Sequence, residues 1–360
     1  MTAGTGDVWL LDHGEIFGGG QRFGLRLALA LRDVGRTVRI GCELRSPLGE
    51  NCRRVGLDVT DMRFPRPAPW NPAVALAVRR TRRFRARLDP GSTVIGNHPR
   101  VHAYLYAAGR GSGGPAIVNV AHERDTAGRR LAGFPYRRFG ALVAIGTNAA
   151  REYQSRLPGV RVIKANNFLP VSYFEHARGQ RVLSPETREP AVGVLARLIP
   201  GKGVAELLEE LSAPAARPAW GEVVVGGGRQ DAAYSRRVER RIEELGLSGR
   251  VRLIGEVEDV PRFLSSVDVL VVPSTGKESQ PTVIIEALAH GVPVAVREPL
   301  HSRDFEGLPV ASYGDAAELG KALRAPRSTA APVQELIERF GPDQAIAGID
   351  QAAELARARS

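Results

Sequence analysis

Two glutamates eight residues apart, Glu278 and Glu286, stand on either side of a predicted helix start. The helix begins at Pro281 or Thr282, since proline suits a first turn where its missing N–H would be unpaired anyway. The loop carboxylate can accept hydrogen bonds from sugar hydroxyls, and the helical one can accept them from a ribose. The N–H groups of Thr282 and Val283 add a predicted anion site at the helix start.

Two cations follow an earlier apolar run, in the segment GVLARLIPGK. A predicted strand leads into Arg197, and a tight Pro200-Gly201 turn precedes Lys202. This pair suits a diphosphate, because the arginine fork binds two oxygens and the lysine adds a point charge. Cations placed there would also stabilise the negative charge that develops on a diphosphate leaving group.

These residues depend on strands that alternate with helices. In the first half, strands are predicted at 8–11, 37–42, 93–95, 116–120 and 142–145, and a glycine loop at 18–20 leads into a helix at 21–34. In the second half, strands are predicted at 191–195, 222–225, 251–254, 269–272 and 293–296, and helices at 204–211, 231–245, 261–265, 282–290 and 344–356. Such alternation predicts parallel βαβ units with helices on both faces of each sheet.

The sequence therefore predicts an α/β protein with two Rossmann-like, doubly wound domains. We expect an N-terminal domain at 1–174, a polar linker at 175–190, a second domain at 191–338, and a helix within 339–360 that packs back on the first domain. Ligands bind beyond the carboxyl ends of parallel strands, so the two domains would face one another across a central cleft.

Composition indicates a globular, intracellular protein. Of 360 residues, 43% are hydrophobic and 25% charged. The start has no basic, apolar signal sequence, and no run reaches the roughly 18 apolar residues that span a bilayer. Cys42 and Cys52 form no CxxC or Cys/His cluster, which predicts a reduced, cytoplasmic setting and no structural metal.

The net charge of +11 favours anionic partners: phosphorylated small molecules, an anionic membrane face, or nucleic acid. Nucleic acid is disfavoured, because no helix-turn-helix, RNA-recognition or zinc-finger signature accompanies the charge. Part of the excess lies on one predicted helix, with Ala75, Val78 and Phe84 available for an apolar face; its arginines are Arg79, Arg80, Arg82, Arg83, Arg85 and Arg87. The run fits either a solvated surface helix or a helix at a membrane surface.

The motifs resemble those of the retaining glycosyltransferases of family 4, which have the GT-B fold. The family's E-x7-E motif matches Glu278 through Glu286, and its arginine and lysine match Arg197 and Lys202. Its second glycine turn looks like Gly226-Gly227-Gly228. The resemblance implies that the first glutamate faces the donor sugar, the second binds the ribose, and the cations hold the diphosphate.

The N-terminal half carries the resemblance less specifically. Gly18-Gly19-Gly20 resembles the family's first glycine loop, near the donor phosphates and the acceptor. His122 resembles a histidine that reaches the transferred sugar, although a lone histidine after a strand also fits a structural role. Many members have Phe-Gly where this chain has Gln280-Pro281, so the phosphate and sugar contacts there are expected to differ.

The resemblance implies a retaining transferase that moves a sugar from a UDP- or GDP-sugar to an acceptor hydroxyl, with no metal, cofactor or protein nucleophile. The expected acceptor is either a small molecule or a lipid-linked molecule. Base choice would depend on the pocket near 255–257. The implied catalytic residues are Glu278, His122, Arg197 and Lys202, and the implied donor-binding residues are Gly19, Gly20, Arg197, Lys202, Gly227, Val257, Thr282, Val283 and Glu286.

Three other functions fit parts of the sequence. An NAD-dependent oxidoreductase is disfavoured, because Asp231 stands where the third glycine of G-x-G-x-x-G belongs. A phosphorylase would need a pyridoxal lysine that has no clear place in this sequence. A non-catalytic, membrane-associated binding protein could keep the same fold without Glu278 and Lys202, so their presence favours catalysis.

Overall fold

The computed structural model describes residues 6–15, 17–66, 68, 71–109, 113–122, 134–139, 141–177, 189–216, 219–276, 278–298, 303–325 and 330–358. The chain divides into two compact units. The first contains Met1–Pro170 with Gly341–Ser360, and the second contains Val171–Phe340. Both are α/β units built on a parallel sheet, as the sequence predicts.

The described part of the first unit has a seven-stranded sheet in the order β3-β2-β1-β4-β5-β6-β7. The strands are β1 (Val8–Leu11), β2 (Val38–Cys42), β3 (Asp58–Asp61), β4 (Thr93–Gly96), β5 (Ala116–Ala121), β6 (Ala141–Ile145) and β7 (Arg161–Ala165). Its helices are α1 (Gly19–Asp33), α2 (Pro47–Arg54), α3 (Pro72–Arg85), α4 (Pro99–Ala107), α5 (Phe134–Phe139), α6 (Thr147–Arg156) and α14 (Pro342–Arg357).

Both faces of this sheet are covered by apolar side chains. Along β1, Val8 and Leu10 join the cluster beneath α1 and α14, while Trp9 and Leu11 join a second cluster that includes Ala77 of α3. Successive strand residues point to opposite faces, so a strand buried on both faces must be apolar throughout. This explains why β1 reads as a continuous apolar run.

The last helix of the chain, α14, belongs to the first unit. It lies against β5, β6 and β7 and beside α1. Arg36, just beyond α1, donates from both terminal nitrogens to the Asp350 carboxylate, each at 2.6 Å. Gly348 faces the sheet, where a Cβ would be in ordinary van der Waals contact with the Ala165 methyl at 3.5 Å.

The described part of the second unit has a six-stranded sheet in the order β10-β9-β8-β11-β12-β13. The strands are β8 (Ala191–Leu195), β9 (Glu222–Gly226), β10 (Val251–Gly255), β11 (Val269–Val272), β12 (Val294–Arg297) and β13 (Val310–Tyr313). Its helices are α7 (Val171–Ala177), α8 (Val204–Ser212), α9 (Ala232–Glu244), α10 (Val260–Ser265), α11 (Thr282–Ala289), α12 (Ala316–Leu323) and α13 (Val333–Phe340).

The sequence analysis missed three strands, β3, β7 and β13. All three are the outermost strands of their sheets, and they carry polar or exposed residues, as in the DVTD sequence of β3. An outermost strand is half solvated and lacks the apolar run that marks a central one. The predicted linker at 175–190 is also too long at its start, because α7 continues through Ala177; its residues 178–188 lie outside the described ranges.

Candidate active site

In the second unit, the loops that follow β8 and β11 are bonded to each other. The two strands are parallel neighbours, so their carboxyl ends lie side by side. The Gly201 carbonyl accepts the N–H groups of Thr275 and Gly276, at 3.0 and 2.9 Å. Gly203 has a φ of +71°, and a Cβ there would lie 1.9 Å from the Pro273 carbonyl oxygen. Glycine is therefore required for the loops to approach this closely.

These loops bring Lys202 and Glu278 into contact. The lysine Nζ lies 2.5 Å from Glu278 Oε1. The hydroxyl of Ser274 donates to the same carboxylate oxygen at 2.7 Å. The lysine and glutamate side chains keep 23% and 21% of their surface exposed, so a ligand can reach both. A cation and an acceptor of hydrogen bonds thus lie together at the carboxyl edge of the sheet, where ligands bind in such folds.

Arg197 follows β8 and hydrogen-bonds to a residue outside this ion pair. Its guanidinium is exposed and donates to Gln230 Oε1 at 3.1 Å. Gln230 lies beyond the end of β9, the other neighbour of β8. The structure therefore brings Lys202 and Glu278 together and places Arg197 against the adjacent loop.

Close backbone packing explains the glycine turn after β9. A Cβ on Gly227 would lie 1.8 Å from the Ala196 carbonyl oxygen, and the Gly227 N–H donates to the Gly255 carbonyl at 2.6 Å. The side chain of Val257 covers the preceding glycine, since a Cβ on Gly226 would lie 2.4 Å from Val257 Cγ2. The turn thus joins the ends of β8, β9 and β10.

Helix α11 begins where the sequence predicts. Pro281 is the N-cap, and no side chain caps the first turn. Thr282, Val283 and Glu286 are each half-buried, with Glu286 one turn into the helix. The first N–H groups of a helix carry a partial positive charge, so this end is suited to an anion.

In the first unit, a buried polar network occupies the carboxyl ends of β1, β4 and β5. Its centre is Asp12, the residue after β1, which has no exposed surface. Asp12 accepts hydrogen bonds from the His13 N–H at 2.7 Å, from Gln21 Nε2 at 3.2 Å and from Asn97 Nδ2 at 2.8 Å. Asn97 in turn contacts His122 Nε2 at 2.8 Å through its Oδ1.

The structure brings two predicted residues, Gly20 and His122, next to each other. A Cβ on Gly20 would lie 3.2 Å from His122 Cδ2, which leaves room for no larger residue without a shift. Gly19 and Gly20 form the first turn of α1, so the predicted glycine loop is a helix start. A Cβ on Gly19 would meet no described atom within 4 Å, so that position is open.

Two further histidines lie at this edge, His13 after β1 and His98 after β4. Their ring centroids are 4.1 Å apart. Each ring accepts a backbone N–H at its Nδ1, from Glu15 and Arg100, both at 3.1 Å. Burial and the neighbouring His13 lower the pKa of His98 to about 4. Burial also lowers the pKa of His122 to about 4, although Asp12 opposes the shift.

The arginine helix, α3, differs from the expectation at two positions. Arg85 is buried and donates to the Gly109 carbonyl oxygen, so it does not belong to the basic face. Ala75 is exposed, whereas Ala77 packs in the core. Solvent-exposed arginines remain at five positions, with Leu76 49% exposed beside them: Arg79, Arg80, Arg82, Arg83 and Arg87.

Among the described residues, no helix combines the length and the apolar character that a membrane-spanning segment needs.

Residues 189–325 match the family described as Glycosyl transferases group 1. The lipopolysaccharide core biosynthesis mannosyltransferase LpsB of Rhizobium meliloti (strain 1021) is 26% identical over 46% of this chain and 47% of its own length. The phosphatidyl-myo-inositol mannosyltransferase of Mycolicibacterium smegmatis (strain ATCC 700084 / mc(2)155) is 28% identical over 79% of this chain and 73% of its own. This chain thus spans about half the length of the first relative.

The fold is also similar to that of solved structures. Anabaena Alr3699/HepE in complex with UDP and glucose has a TM-score of 0.73, with 18% identity over 97% of this chain and 98% of that one. Residues 189–325 are thus similar to a glycosyl transferases group 1 domain. The whole chain has the two-domain α/β fold of the GT-B glycosyltransferases, so the predicted fold class is confirmed. The predicted resemblance to glycosyltransferases is confirmed by the match to glycosyl transferases group 1.

Sequence reasoning overlooked four residues of the first unit's site: Asp12, His13, Asn97 and His98. Each follows the end of β1 or β4, two strands that the sequence did predict. Because ligands bind beyond the carboxyl ends of parallel strands, the polar residues that directly follow predicted strands could have been selected from the sequence as site candidates. Ser274, which bonds Glu278, has the same signal after β11.

Acid should destabilise the folded protein through its buried histidines. The pKa of His122 is about 4 when folded, against an ordinary value of 6.5, so the unfolded chain binds protons first as the pH falls. The stability that this ring contributes is fully present above pH 6.5 and is lost towards pH 4. We expect thermal unfolding midpoints to fall over that interval, and to fall less steeply in His122→Gln. If the unfolding midpoint of wild type and that of His122→Gln fell equally with pH, the loss of stability would not come from His122.

Proposed function

We propose that this protein is a retaining glycosyltransferase, which moves a sugar from a nucleoside-diphosphate sugar to an acceptor hydroxyl. One observation carries the proposal: Lys202 and Glu278 contact each other at the carboxyl edge of the sheet in the glycosyl transferases group 1 domain. The contact joins the two motifs, 76 positions apart in the sequence, that the family resemblance relates to the diphosphate and the sugar.

Charge distribution supports the assignment of roles. Breaking the bond between sugar and diphosphate leaves negative charge on the diphosphate, which Lys202, Arg197 and the start of α11 would stabilise. The ammonium of Lys202 would turn to the diphosphate, and Glu278 would then accept hydrogen bonds from the donor sugar. Glu286 would bind the ribose hydroxyls. This cationic set supplies the charge stabilisation that a metal ion provides in other transferases, so we propose a reaction without metal or cofactor.

The proposed chemistry proceeds with retention and without a protein nucleophile. The acceptor oxygen bonds to the anomeric carbon as the bond from that carbon to the diphosphate breaks, on the same face of the sugar. The departing diphosphate oxygen takes the proton of the acceptor hydroxyl. His122 would contact the transferred sugar.

The donor and acceptor classes are proposed from the relatives. HepE has been crystallised with UDP and glucose, and two of the relatives are mannosyltransferases. We therefore propose a UDP- or GDP-sugar as donor, with its base near Val257 and its phosphates near Gly19, Gly20, Gly227, Thr282 and Val283. The relatives' names include lipopolysaccharide core and phosphatidyl-myo-inositol, which favours a lipid-linked acceptor over a soluble one.

A nucleotide screen tests the donor site. UDP, GDP, ADP, CMP, dTDP and NAD are added separately, without metal and then with magnesium, and the melting temperature is recorded. A ligand at about 100 times its Kd stabilises the native state by about 2.7 kcal/mol. We expect UDP or GDP alone to raise the melting temperature, and the rise to disappear in Glu286→Ala but not in the exposed control Glu243→Ala. A rise with NAD alone would instead favour an oxidoreductase.

Removal of either member of the ion pair should abolish most of the turnover. We expect Glu278→Ala and Lys202→Ala each to lower the rate of sugar transfer about tenfold or more, since each removes an electrostatic contact to the reacting groups. Product formation from the nucleotide sugar identified in the screen is the measurement. Glu243→Ala and Lys321→Ala, both at exposed positions, are the matched controls. Wild-type rates in both site variants would refute the assignment, and nucleotide binding without any transfer would favour the non-catalytic binding protein.

The exposed arginines of α3 support a second, weaker proposal, that a cytoplasmic protein of this kind docks on the anionic inner face of a membrane. Five exposed arginines and the exposed Leu76 lie together along and just beyond the helix. A basic helix with some exposed apolar surface binds such lipids through charge and burial together. The alternative is that α3 is a solvated surface helix with no role at a membrane.

Liposome co-sedimentation at physiological salt decides between these two readings. Each arginine near an anionic surface contributes about 1 kcal/mol, so the double variant Arg79→Gln with Arg83→Gln should bind roughly thirtyfold more weakly. The control is Arg236→Gln with Arg240→Gln, an equally spaced and exposed pair on α9. Equal binding by the two double variants, or no binding by wild type, would leave α3 as a solvated helix.

A further inference from the structure

Arg297, the last residue of β12, contacts both chain segments that carry the Lys202–Glu278 ion pair. Its Nη2 forms an ion pair with Oε2 of Glu210 on α8, the helix that begins two residues after Lys202. Its Nε donates to the carbonyl oxygen of Pro273 at 3.3 Å. Pro273 follows β11, in the loop that leads to Glu278. One guanidinium thus joins the helix that follows the lysine to the loop that precedes the glutamate.

The Pro273 carbonyl lies where these two segments approach each other. A Cβ on Gly203, the N-cap of α8, would lie 1.9 Å from its oxygen. The next residue, Ser274, donates its hydroxyl to Glu278 Oε1, the same oxygen that Lys202 Nζ contacts. A shift of this carbonyl would therefore move Gly203 and Ser274, and with them both members of the ion pair.

The direction of the Arg297 side chain is set by its surroundings. The side chains of Arg297 and Glu210 are largely buried, with 13% and 17% of their surface exposed. The guanidinium carbon lies 5.2 Å from the centroid of the Tyr313 ring, a fully buried side chain at the end of β13. A guanidinium is planar and donates in fixed directions, so pairing with Glu210 and packing on the ring also fix the direction of the Nε–H.

We propose that Arg297 is a positioning residue for sugar transfer, which fixes the loop of Glu278 against the start of α8 through the Pro273 carbonyl, so that Lys202 and Glu278 lie at bonding distance. A largely buried ion pair often stabilises a fold no more than apolar side chains of similar volume do, which points to positioning and not to stability alone. The effect on transfer rests on the proposed function. The effect on the ion pair does not, because Lys202 and Glu278 contact each other directly.

One conservative substitution separates positioning from charge. In Arg297→Lys, a methylene group stands where arginine has Nε, so the Pro273 carbonyl loses this donor, while the ammonium can still pair with Glu210. The fold should keep most of its stability, because neither charge is left buried without a partner.

The first test is the ¹⁵N spectrum of the side-chain ammonium groups in the full chain with labelled lysine. The chain has four lysines, and the signal absent in Lys202→Arg assigns Lys202 in each background. An ammonium bonded to a carboxylate exchanges its protons slowly, and Glu278→Gln supplies the reference for Lys202 without its ion pair. We expect Arg297→Lys to move the Lys202 resonance and its proton exchange rate toward those of Glu278→Gln. A Lys202 signal identical to that of wild type would overturn the proposal.

Two further variants guard this test. If Arg297→Lys does not fold, the double variant Glu210→Leu with Arg297→Met replaces the ion pair by apolar side chains, and the same two outcomes decide. The control is Arg36→Lys, at an arginine that is 14% exposed and pairs with Asp350 at 2.6 Å. Arg36 precedes β2, at the amino end of a strand in the first unit, so its substitution should leave the Lys202 signal unchanged. An equal change in Arg36→Lys would contradict a specific role for Arg297.

Kinetics test the role in transfer. Arg297→Lys should lower kcat about tenfold with a smaller change in KM, because misplaced groups cost most in the transition state. The same change in a Glu278→Ala background should have little further effect, since residues that act through one another are not additive. Additive losses would contradict a role through the ion pair. Absence of transfer by wild type, together with the expected change of the Lys202 signal, would refute the proposed function and leave the positioning of the ion pair intact.

Discussion

Parallel hydrogen bonding between strands is the constraint on which both units depend. Because every paired strand in each sheet runs in the same direction, all of its carboxyl ends lie at one edge. The loops and helix starts that follow the strands therefore meet there, whatever their distance in the sequence. This is how Lys202 after β8 reaches Glu278 after β11, and how Asp12 after β1 reaches Asn97 after β4.

Where backbones approach each other closely at these edges, the chain has glycine, because a side chain would not fit. Gly203 and Gly227 each stand where a Cβ would lie within 2 Å of a carbonyl oxygen. Without side chains at these positions, loops can bond directly to one another, as Gly201 does with Thr275 and Gly276. Lys202 and Glu278, which these loops carry, stay partly exposed. An electrostatic site requires accessible charged groups whose positions are set before the reaction, and the bonds between the loops contribute to that.

The carboxyl edges of the two sheets differ in how their charged groups are balanced. In the second unit, an ammonium and a carboxylate balance each other near solvent, an arrangement that a charged ligand can enter. In the first unit, the fully buried Asp12 is surrounded by backbone and amide N–H groups, and the neighbouring imidazoles are held neutral by burial. A buried carboxylate is costly unless each oxygen is hydrogen-bonded. The second unit therefore presents charge, whereas the first presents neutral donors and acceptors in set orientations.

The sequence by itself determined the fold class, the central strands, the start of α11 and the motifs around Glu278 and Lys202, because apolar runs, glycines and proline act locally. It could not locate β3, β7 and β13, since outermost strands are half solvated and lack the apolar run. It also placed Arg85 on a basic face, although its guanidinium is buried against the Gly109 carbonyl. Only the tertiary structure decided which side chains meet: the bond between Lys202 and Glu278, and the order of Asp12, Asn97 and His122, join residues from separate strands. Such contacts depend on strand order in the sheet, which no local pattern encodes.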